Sequence, residues 1–135
     1  MTRLLFVEDE PRGVDAYFPV LRRSDFQCDL AKSFDESVEK LQNGQYDGLS
    51  LDIMFMSKRS GQDAGNPQSA GLDLLKLIRK GKIHNCDPML KVIVLTASGN
   101  NEIKSKVKAL GVYAYLTKPV DYKRVMDTYL ALKNV

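Results

Sequence analysis

The sequence predicts an α/β fold in which a doubly wound, five-stranded parallel sheet is flanked by five helices. Short apolar runs rich in branched residues alternate along the whole chain with segments of helical periodicity, which is the pattern of repeated βα units. The apolar runs are nearly continuous, as is typical of parallel strands buried on both faces. At 135 residues, with 44% hydrophobic and 27% charged residues, the chain is expected to form one domain over residues 1–135.

The first two βα units occupy the N-terminal third of the chain. Strands are predicted over residues 3–7 and 26–31, where apolar runs stop at turn or polar residues. A kinked or late-starting helix is expected between them, because Pro19 lies within the apolar pattern and removes a helix hydrogen bond. The second helix follows Ser33, which has the Ser-x-x-Glu spacing of a helix start, and ends at Asn43-Gly44.

The third unit contains the main irregularity of the chain. A strand is predicted over residues 46–53, finishing at Asp52. Residues 57–70 have no apolar periodicity and several helix breakers, which predicts a long loop. A third helix is predicted over residues 71–82, with its apolar positions on one side and basic residues in its last turn.

The last two units complete the predicted sheet. The fourth strand covers residues 91–96 and ends at Thr96. The helix after it is broken by Gly111, and the fifth strand is predicted over residues 112–117. Asp121 is then placed to cap the last helix.

Composition excludes several classes of protein. The net charge of +3, from 20 basic and 17 acidic residues, is too small to indicate nucleic-acid binding. Cys28 and Cys86 lack the spacing of a zinc or redox motif and are expected to be free thiols. No apolar run is long enough to cross a membrane. We therefore expect a soluble, cytoplasmic protein.

Polar residues follow four of the predicted strands. In a parallel sheet the strand ends share one edge, so these residues are expected to converge there: Glu8 and Asp9, Asp52, Thr96, and Lys118. Crowded carboxylates repel one another unless a cation neutralises them, and an all-oxygen group of ligands suits Mg²⁺. A hydroxyl and an ammonium stabilise phosphoryl oxygens. The pattern therefore predicts a site for a phosphoryl group on Asp52.

Four motifs in this sequence resemble those of response regulator receiver domains of two-component systems, of the stand-alone, CheY-like type. They are Phe6-Val7-Glu8-Asp9-Glu10, Leu49-Ser50-Leu51-Asp52-Ile53-Met54, Val94-Leu95-Thr96-Ala97 and Tyr115-Leu116-Thr117-Lys118-Pro119. The resemblance covers nearly all of the chain and implies the flavodoxin-like receiver fold.

The resemblance also implies roles for the residues at the predicted strand ends. Asp52 would accept a phosphoryl group from a phosphohistidine of a histidine kinase or a histidine phosphotransfer protein. Asp9, Asp52 and the backbone carbonyl of Met54 would bind Mg²⁺, and Glu8 would contribute through water. Such a protein takes part in a phosphorelay and loses its phosphate slowly, and it is not a turnover enzyme.

The remaining roles concern the phosphoryl oxygens and the signal. Thr96 and the backbone of Ala97 would hold the phosphoryl oxygens, and Lys118 would pair with one of them. Tyr115 would be the switch aromatic that turns inward when Thr96 moves toward the phosphate. A downstream protein would bind the face formed by the fourth helix, fifth strand and fifth helix.

The region after Asp52 departs from the family pattern. Met56 stands where a proline is usual, and the helix-opening glycine corresponds to Gly71, so that about eleven residues are inserted. Extra loop length costs little entropy, so the insertion could be a tolerated surface feature. Long loops beside sites are also often functional, and the insertion could equally select phosphotransfer partners or set the phosphate lifetime.

Three other classes share parts of this pattern. An aspartate-nucleophile phosphohydrolase also places a metal-bound Asp at a strand end, but it resembles this chain less because Met54 stands where the second carboxylate is expected. A receiver-like binding module that is never phosphorylated would not need all the acids with Thr96 and Lys118. A flavin carrier would need a phosphate-binding loop after the first strand. We expect no output domain in this sequence after the last helix. A complete chain would then act by binding or by relaying phosphate, whereas a chain cut from a longer protein would have a downstream domain in addition.

Overall fold

A computed structural model of the chain describes residues 1–10, 12, 14–53, 67–97 and 101–134, without the side chains of residues 67–69 and 134. It contains one sheet of five parallel strands in the order β2-β1-β3-β4-β5. The strands are β1 Thr2–Val7, β2 Phe26–Ala31, β3 Gly48–Leu51, β4 Lys91–Thr96 and β5 Ala114–Thr117. The predicted doubly wound parallel fold is confirmed.

Five α-helices connect or follow the strands. They are α1 Phe18–Arg23, α2 Phe34–Asn43, α3 Pro67–Arg79, α4 Asn101–Leu110 and α5 Tyr122–Leu130. Short 3-10 turns at Asp15–Tyr17 and Ala131–Asn134 precede α1 and extend α5. Among the described residues, we find no helix with the length and apolar character that a membrane span requires.

The helices cover both faces of the sheet and enclose two cores. Leu5, Val7, Leu49 and Leu51 pack on one face with apolar residues of α2, α3 and α4. Alternate residues of the same strands, such as Leu4 and Phe6, pack on the other face with α1 and α5. Because both faces are covered, the central strands are almost entirely apolar, as the sequence predicted.

The first two helices begin as their sequences predicted. Pro19 occupies the first turn of α1, where its missing N–H costs no helix hydrogen bond, so the helix starts late. At α2 the Ser33 hydroxyl accepts a hydrogen bond from Glu36 N at 3.0 Å. The Glu36 carboxylate in turn accepts one from Lys32 N at 2.7 Å. These bonds satisfy backbone donors that a helix start leaves unpaired.

The third helix begins four residues before the predicted start, so residues 67–70 belong to α3 and not to the long loop. Pro67 opens the helix, a position that tolerates proline, and Gly71 lies inside the helix instead of opening it. A Cβ atom on Gly71 would lie 2.5 Å from Cα of Ile53. The glycine therefore serves a close approach of α3 to the chain after β3, and the remaining predicted loop residues, 57–66, lie outside the described residues.

Several smaller features also differ from prediction. Strand β3 covers Gly48–Leu51 and is shorter at both ends than the predicted 46–53. Before it, Asp47 N donates to Arg3 O at 2.8 Å, and the Asp47 carboxylate accepts from Arg3 N at 2.7 Å. Strand β5 starts at Ala114, after Gly111 with φ +84 has turned the chain out of α4. Asp121 occupies the N-cap position directly before Tyr122, as predicted, but its side chain makes no capping hydrogen bond.

Candidate functional site

Three carboxylates meet where β1 and β3 end. Glu8 and Asp9 follow the last residue of β1, and Asp52 follows the last residue of β3. One oxygen atom from each of the three carboxylates lies within 4.8 Å of the other two. Glu8 is only 4% exposed, whereas Asp9 and Asp52 are half-buried. The sheet thus brings together the acids that the sequence placed at separate strand ends.

Backbone hydrogen bonds between neighbouring strands continue one residue beyond the ends of β1 and β3, and they position two of these acids. Glu8 N donates to Ala31 O at 3.0 Å, and Asp52 N donates to Val7 O at 3.1 Å. Glu10 N also donates to the Glu8 carboxylate, at 3.2 Å. The acids are therefore attached to rigid strand ends, which keeps their separation small.

In this position the pKa of Glu8 is raised from its ordinary value of 4.5 to about 7. Burial is the main cause, because it disfavours the charged carboxylate, and the negative charge of Asp52 adds to it. Lys118 acts in the opposite direction. A cation bound beside this buried carboxyl group and its acidic neighbour would favour the ionised form of Glu8.

Lys118 reaches this group of acids from the end of β5. Its Nζ lies 3.4 Å from Glu8 Oε2, and its backbone N donates to Thr96 O at 2.8 Å. Thr96 is fully buried at the end of β4, and Ala97 after it is exposed. The peptide bond between Lys118 and Pro119 is cis. The ammonium group of Lys118 and the end of β4, which carries Thr96, therefore lie beside the acids.

Tyr115 lies on β5, which β4 separates from β3, and it pairs with Val94 on β4. Its hydroxyl is buried and has no hydrogen-bond partner among the residues that the structure describes. The Nζ atom of Lys104, on α4, lies 5.6 Å from the centre of the Tyr115 ring. The same burial raises the pKa of the Tyr115 hydroxyl. The described part of the chain thus gives the Tyr115 hydroxyl no hydrogen-bond partner in this position.

The donor set fits a hard divalent cation such as Mg²⁺. Three carboxylates offer only oxygen ligands, and Asp9 and Asp52 are accessible enough to leave room for water, which Mg²⁺ retains when bound. Met54, whose carbonyl the sequence analysis assigned as a further ligand, lies outside the described residues. The residues present are consistent with magnesium and do not resemble the Cys and His ligands of a zinc site.

Two features beside the site were missed in the sequence. The pairing of Lys118 with Glu8 joins residues far apart in the chain, and no local signal predicts it. The rings of Tyr17 and Tyr122 lie 5.6 Å apart next to the start of α5. Tyr17 belongs to the turn before α1 and Tyr122 is the first residue of α5, so no local pattern in the sequence pairs them.

The sequence of the chain matches those of known proteins. The family model for the response regulator receiver domain matches residues 4–129. Transcriptional regulatory protein DltR of Streptococcus agalactiae is 32% identical over 119 residues, which are 88% of this chain and 46% of that protein. Hybrid signal transduction histidine kinase G of Dictyostelium discoideum is 31% identical over 123 residues, or 90% of this chain and 3% of that protein. The chain thus spans less than half of these relatives.

Solved structures show the same fold. A CheY-like receiver domain protein from Methanospirillum hungatei has a TM-score of 0.75 at 21% identity, covering 99% of this chain and 95% of that one. A signal receiver domain from Clostridium thermocellum has a TM-score of 0.79 at 15% identity, covering 99% of this chain and 98% of that one. Because the family model matches most of the sequence, this chain belongs to the response regulator receiver domain family, a family of two-component signalling modules.

Proposed function

We propose that the chain is a single phosphoacceptor receiver domain over residues 1–135 that is phosphorylated on Asp52 in a magnesium-dependent reaction. The observation that carries the proposal is the meeting of three carboxylates, one oxygen of each within 4.8 Å of the others, with Lys118 Nζ 3.4 Å from Glu8 Oε2. The acids would then bind a cation, and the cation and the lysine would together stabilise a phosphoryl group between them.

In the proposed reaction, an oxygen of the Asp52 carboxylate attacks the phosphorus of a phosphohistidine on a kinase or phosphotransfer protein. The bond between phosphorus and the imidazole nitrogen breaks, its electron pair stays with that nitrogen, and an acyl phosphate forms on Asp52. Glu8, Asp9, Asp52 and the Met54 carbonyl would hold Mg²⁺, which when bound neutralises charge on the phosphoryl oxygens. Glu8 would act through a bridging water.

The other residues of the site orient the phosphoryl group and report its presence. Lys118 would exchange its contact with Glu8 for a phosphoryl oxygen, while the Thr96 hydroxyl and the Ala97 backbone would hold the others. Thr96 would move toward the phosphate, and Tyr115 would turn inward after it. The unsatisfied Tyr115 hydroxyl supports this role, because a second position that pairs the hydroxyl would be favoured.

The proposal extends to partners and location. Donors would be histidine kinases or histidine phosphotransfer proteins, and a downstream protein would bind the face formed by α4, β5 and α5. The domain would act in the cytoplasm, where the free thiols Cys28 and Cys86 suit a reducing compartment. It would lose its phosphate slowly and would not turn over phosphate esters.

Incubation with Mg²⁺ and acetyl phosphate, followed by intact-mass spectrometry, tests the phosphorylation. We expect one phosphoryl adduct that needs Mg²⁺ and is absent in Asp52→Asn. The matched control is Asp25→Asn, which removes a carboxylate in an exposed turn where Asn tolerates the positive φ of 68. Adduct formation in Asp52→Asn, or rapid multiple turnover of phosphate esters by the unmodified chain, would contradict the proposal.

A further inference from the structure

Arg79, the last residue of α3, makes hydrogen bonds to two other segments of the chain. Its Nε donates to Leu110 O at 3.0 Å, and its Nη2 donates to Gly111 O at 2.8 Å. Its Nη1 donates to Pro88 O at 2.8 Å. One half-buried guanidinium thus joins the C-terminal end of α4 to the end of α3 and to the turn before β4.

These contacts satisfy carbonyl groups that a helix end leaves unpaired. Leu110 is the last residue of α4, and Gly111 follows it in the left-handed conformation, with φ +84. A positive charge near a helix C-terminus also interacts favourably with the helix dipole. The planar guanidinium supplies several donors in fixed directions, and hydrogen bonds to a charged donor are stronger than neutral ones.

The opposite end of α4 adjoins the candidate site. The helix begins at Asn101, shortly after Thr96 and Ala97 at the end of β4. In its first turn and a half, Lys104 lies over the ring of Tyr115. A displacement of Thr96 would therefore reach α4 at its N-terminal end first, and with it the contact between Lys104 and Tyr115.

We propose that Arg79 is a positioning residue that keeps the C-terminal end of α4 and the start of β5 in place, so that α4 tilts about this end when the site is phosphorylated. The tilt rests on the proposed function, because phosphorylation of the site would trigger it. The anchoring of α4 by Arg79 does not depend on the proposed function. A tilt about the anchored end changes the contact between Lys104 and Tyr115 and retains every Arg79 hydrogen bond. A shift of the whole helix would break several charge-assisted bonds at once.

Hydrogen exchange without any ligand tests the anchor. Gly111 N donates to Lys108 O, and Tyr113 N donates to Val92 O, so both amides report on this region. We expect Arg79→Gln to speed exchange at these two amides by about ten-fold or more, and Arg79→Lys to have a smaller effect. The control Lys80→Gln removes an exposed charge from the adjacent position and should leave both rates unchanged. Equal rates in Arg79→Gln and the unmodified chain would overturn the anchor.

Hydrogen exchange with Mg²⁺ and beryllofluoride, a phosphoryl mimic, tests the tilt. In the unmodified chain we expect changed exchange near the start of α4 and unchanged exchange at Gly111 and Tyr113. In Arg79→Gln the change in exchange that beryllofluoride causes should also appear at those two amides. If Arg79 only stabilised the fold, the pattern of change along α4 would be the same in the variant as in the unmodified chain. Equal changes at both ends of α4 in the unmodified chain would overturn the tilt, even if the variant does not fold.

Fluorine NMR of bound beryllofluoride separates this inference from the proposed function. If no bound species forms, the proposed function fails and the phosphorylation-linked tilt fails with it, while the anchor is still judged by the ligand-free exchange rates. If beryllofluoride binds in an Asp52-dependent way and the exchange changes are uniform along α4, only the tilt is wrong.

Discussion

Glu8 is the most deeply buried of the three acids, with only 4% of the residue exposed. Burial, and after it the negative charge of Asp52, raises the pKa of Glu8 to about 7, although the contact with Lys118 acts in the opposite direction. A cation that binds among these acids must compete with the proton on Glu8. We therefore expect the protonation of Glu8 to affect the affinity of the site for a metal near neutral pH.

We expect Mg²⁺ to bind about ten-fold more tightly at pH 8 than at pH 6. Above the raised pKa of about 7 Glu8 is mostly ionised and ready for the cation, and below it the proton must first be released. Isothermal titration calorimetry at the two pH values measures the difference. Glu8→Gln serves as the control and should bind more weakly with little change between the two values. An unmodified protein with equal affinities at pH 6 and pH 8 would contradict the role of Glu8.

Among the described elements, α3 packs its backbone directly against the residue that follows Asp52. The helix starts at Pro67, and Gly71 in its second turn brings it against Ile53, the residue after Asp52. Ile53 is fully buried in the core beneath α2, α3 and α4. The packing of this one helix thus helps to position the chain that leaves the phosphoacceptor.

Gly71→Ala is expected to lower the free energy of unfolding by about 3 kcal/mol, because the added methyl group collides with backbone that cannot move aside. Urea denaturation followed by circular dichroism measures the loss. Gly111→Ala is the comparison: its Cβ would meet no atom within 4 Å, but its φ of +84 strains an alanine, at a cost of about 1–2 kcal/mol. If Gly71→Ala were the milder change of the two, the close approach of α3 would be wrong.

Across the whole molecule, a buried polar contact ties the centre of the sheet to the layer formed by α1 and α5. The hydroxyls of Ser50 on β3 and Tyr129 on α5 lie 2.7 Å apart, with 3% and 0% of these residues exposed. The Tyr129 ring also packs edge-on against Phe6 of β1, with ring centres 5.3 Å apart. Tyr129 therefore connects two central strands to α5.

A double-mutant cycle of Ser50→Ala and Tyr129→Phe should give a coupling free energy of about 1 kcal/mol. Each single change leaves the other hydroxyl buried without its partner, at a cost of about 1–3 kcal/mol, whereas the double change removes both polar groups. Urea unfolding of the four proteins measures the coupling. Tyr122→Phe, at a residue that is 47% exposed, should change stability by less than about 0.5 kcal/mol. Strictly additive single changes would show that the two hydroxyls do not interact.

Much of the fold followed from local patterns in the sequence. The apolar runs located all five strands, Ser33 and Glu36 located the start of α2, and Pro19 correctly predicted a late α1. The prediction failed where packing overrides local preference: glycine reads as a helix opener in sequence, yet Gly71 lies within α3 because its missing side chain permits contact with Ile53. Local pattern cannot report such a contact, because the second partner comes from another segment.

The same division holds at the candidate site. The sequence by itself determined which chemical groups stand at the strand ends, because an acid, a hydroxyl or a lysine that follows an apolar run is visible in the one-dimensional pattern. Only the tertiary structure decided how close these groups come, since the strand order places β1 beside β3 and sets the separation of Glu8 and Asp52. The contact of Lys118 with Glu8, the raised pKa of Glu8 and the Arg79 anchor all depend on distance and burial. Those quantities arise only when distant parts of the chain pack together.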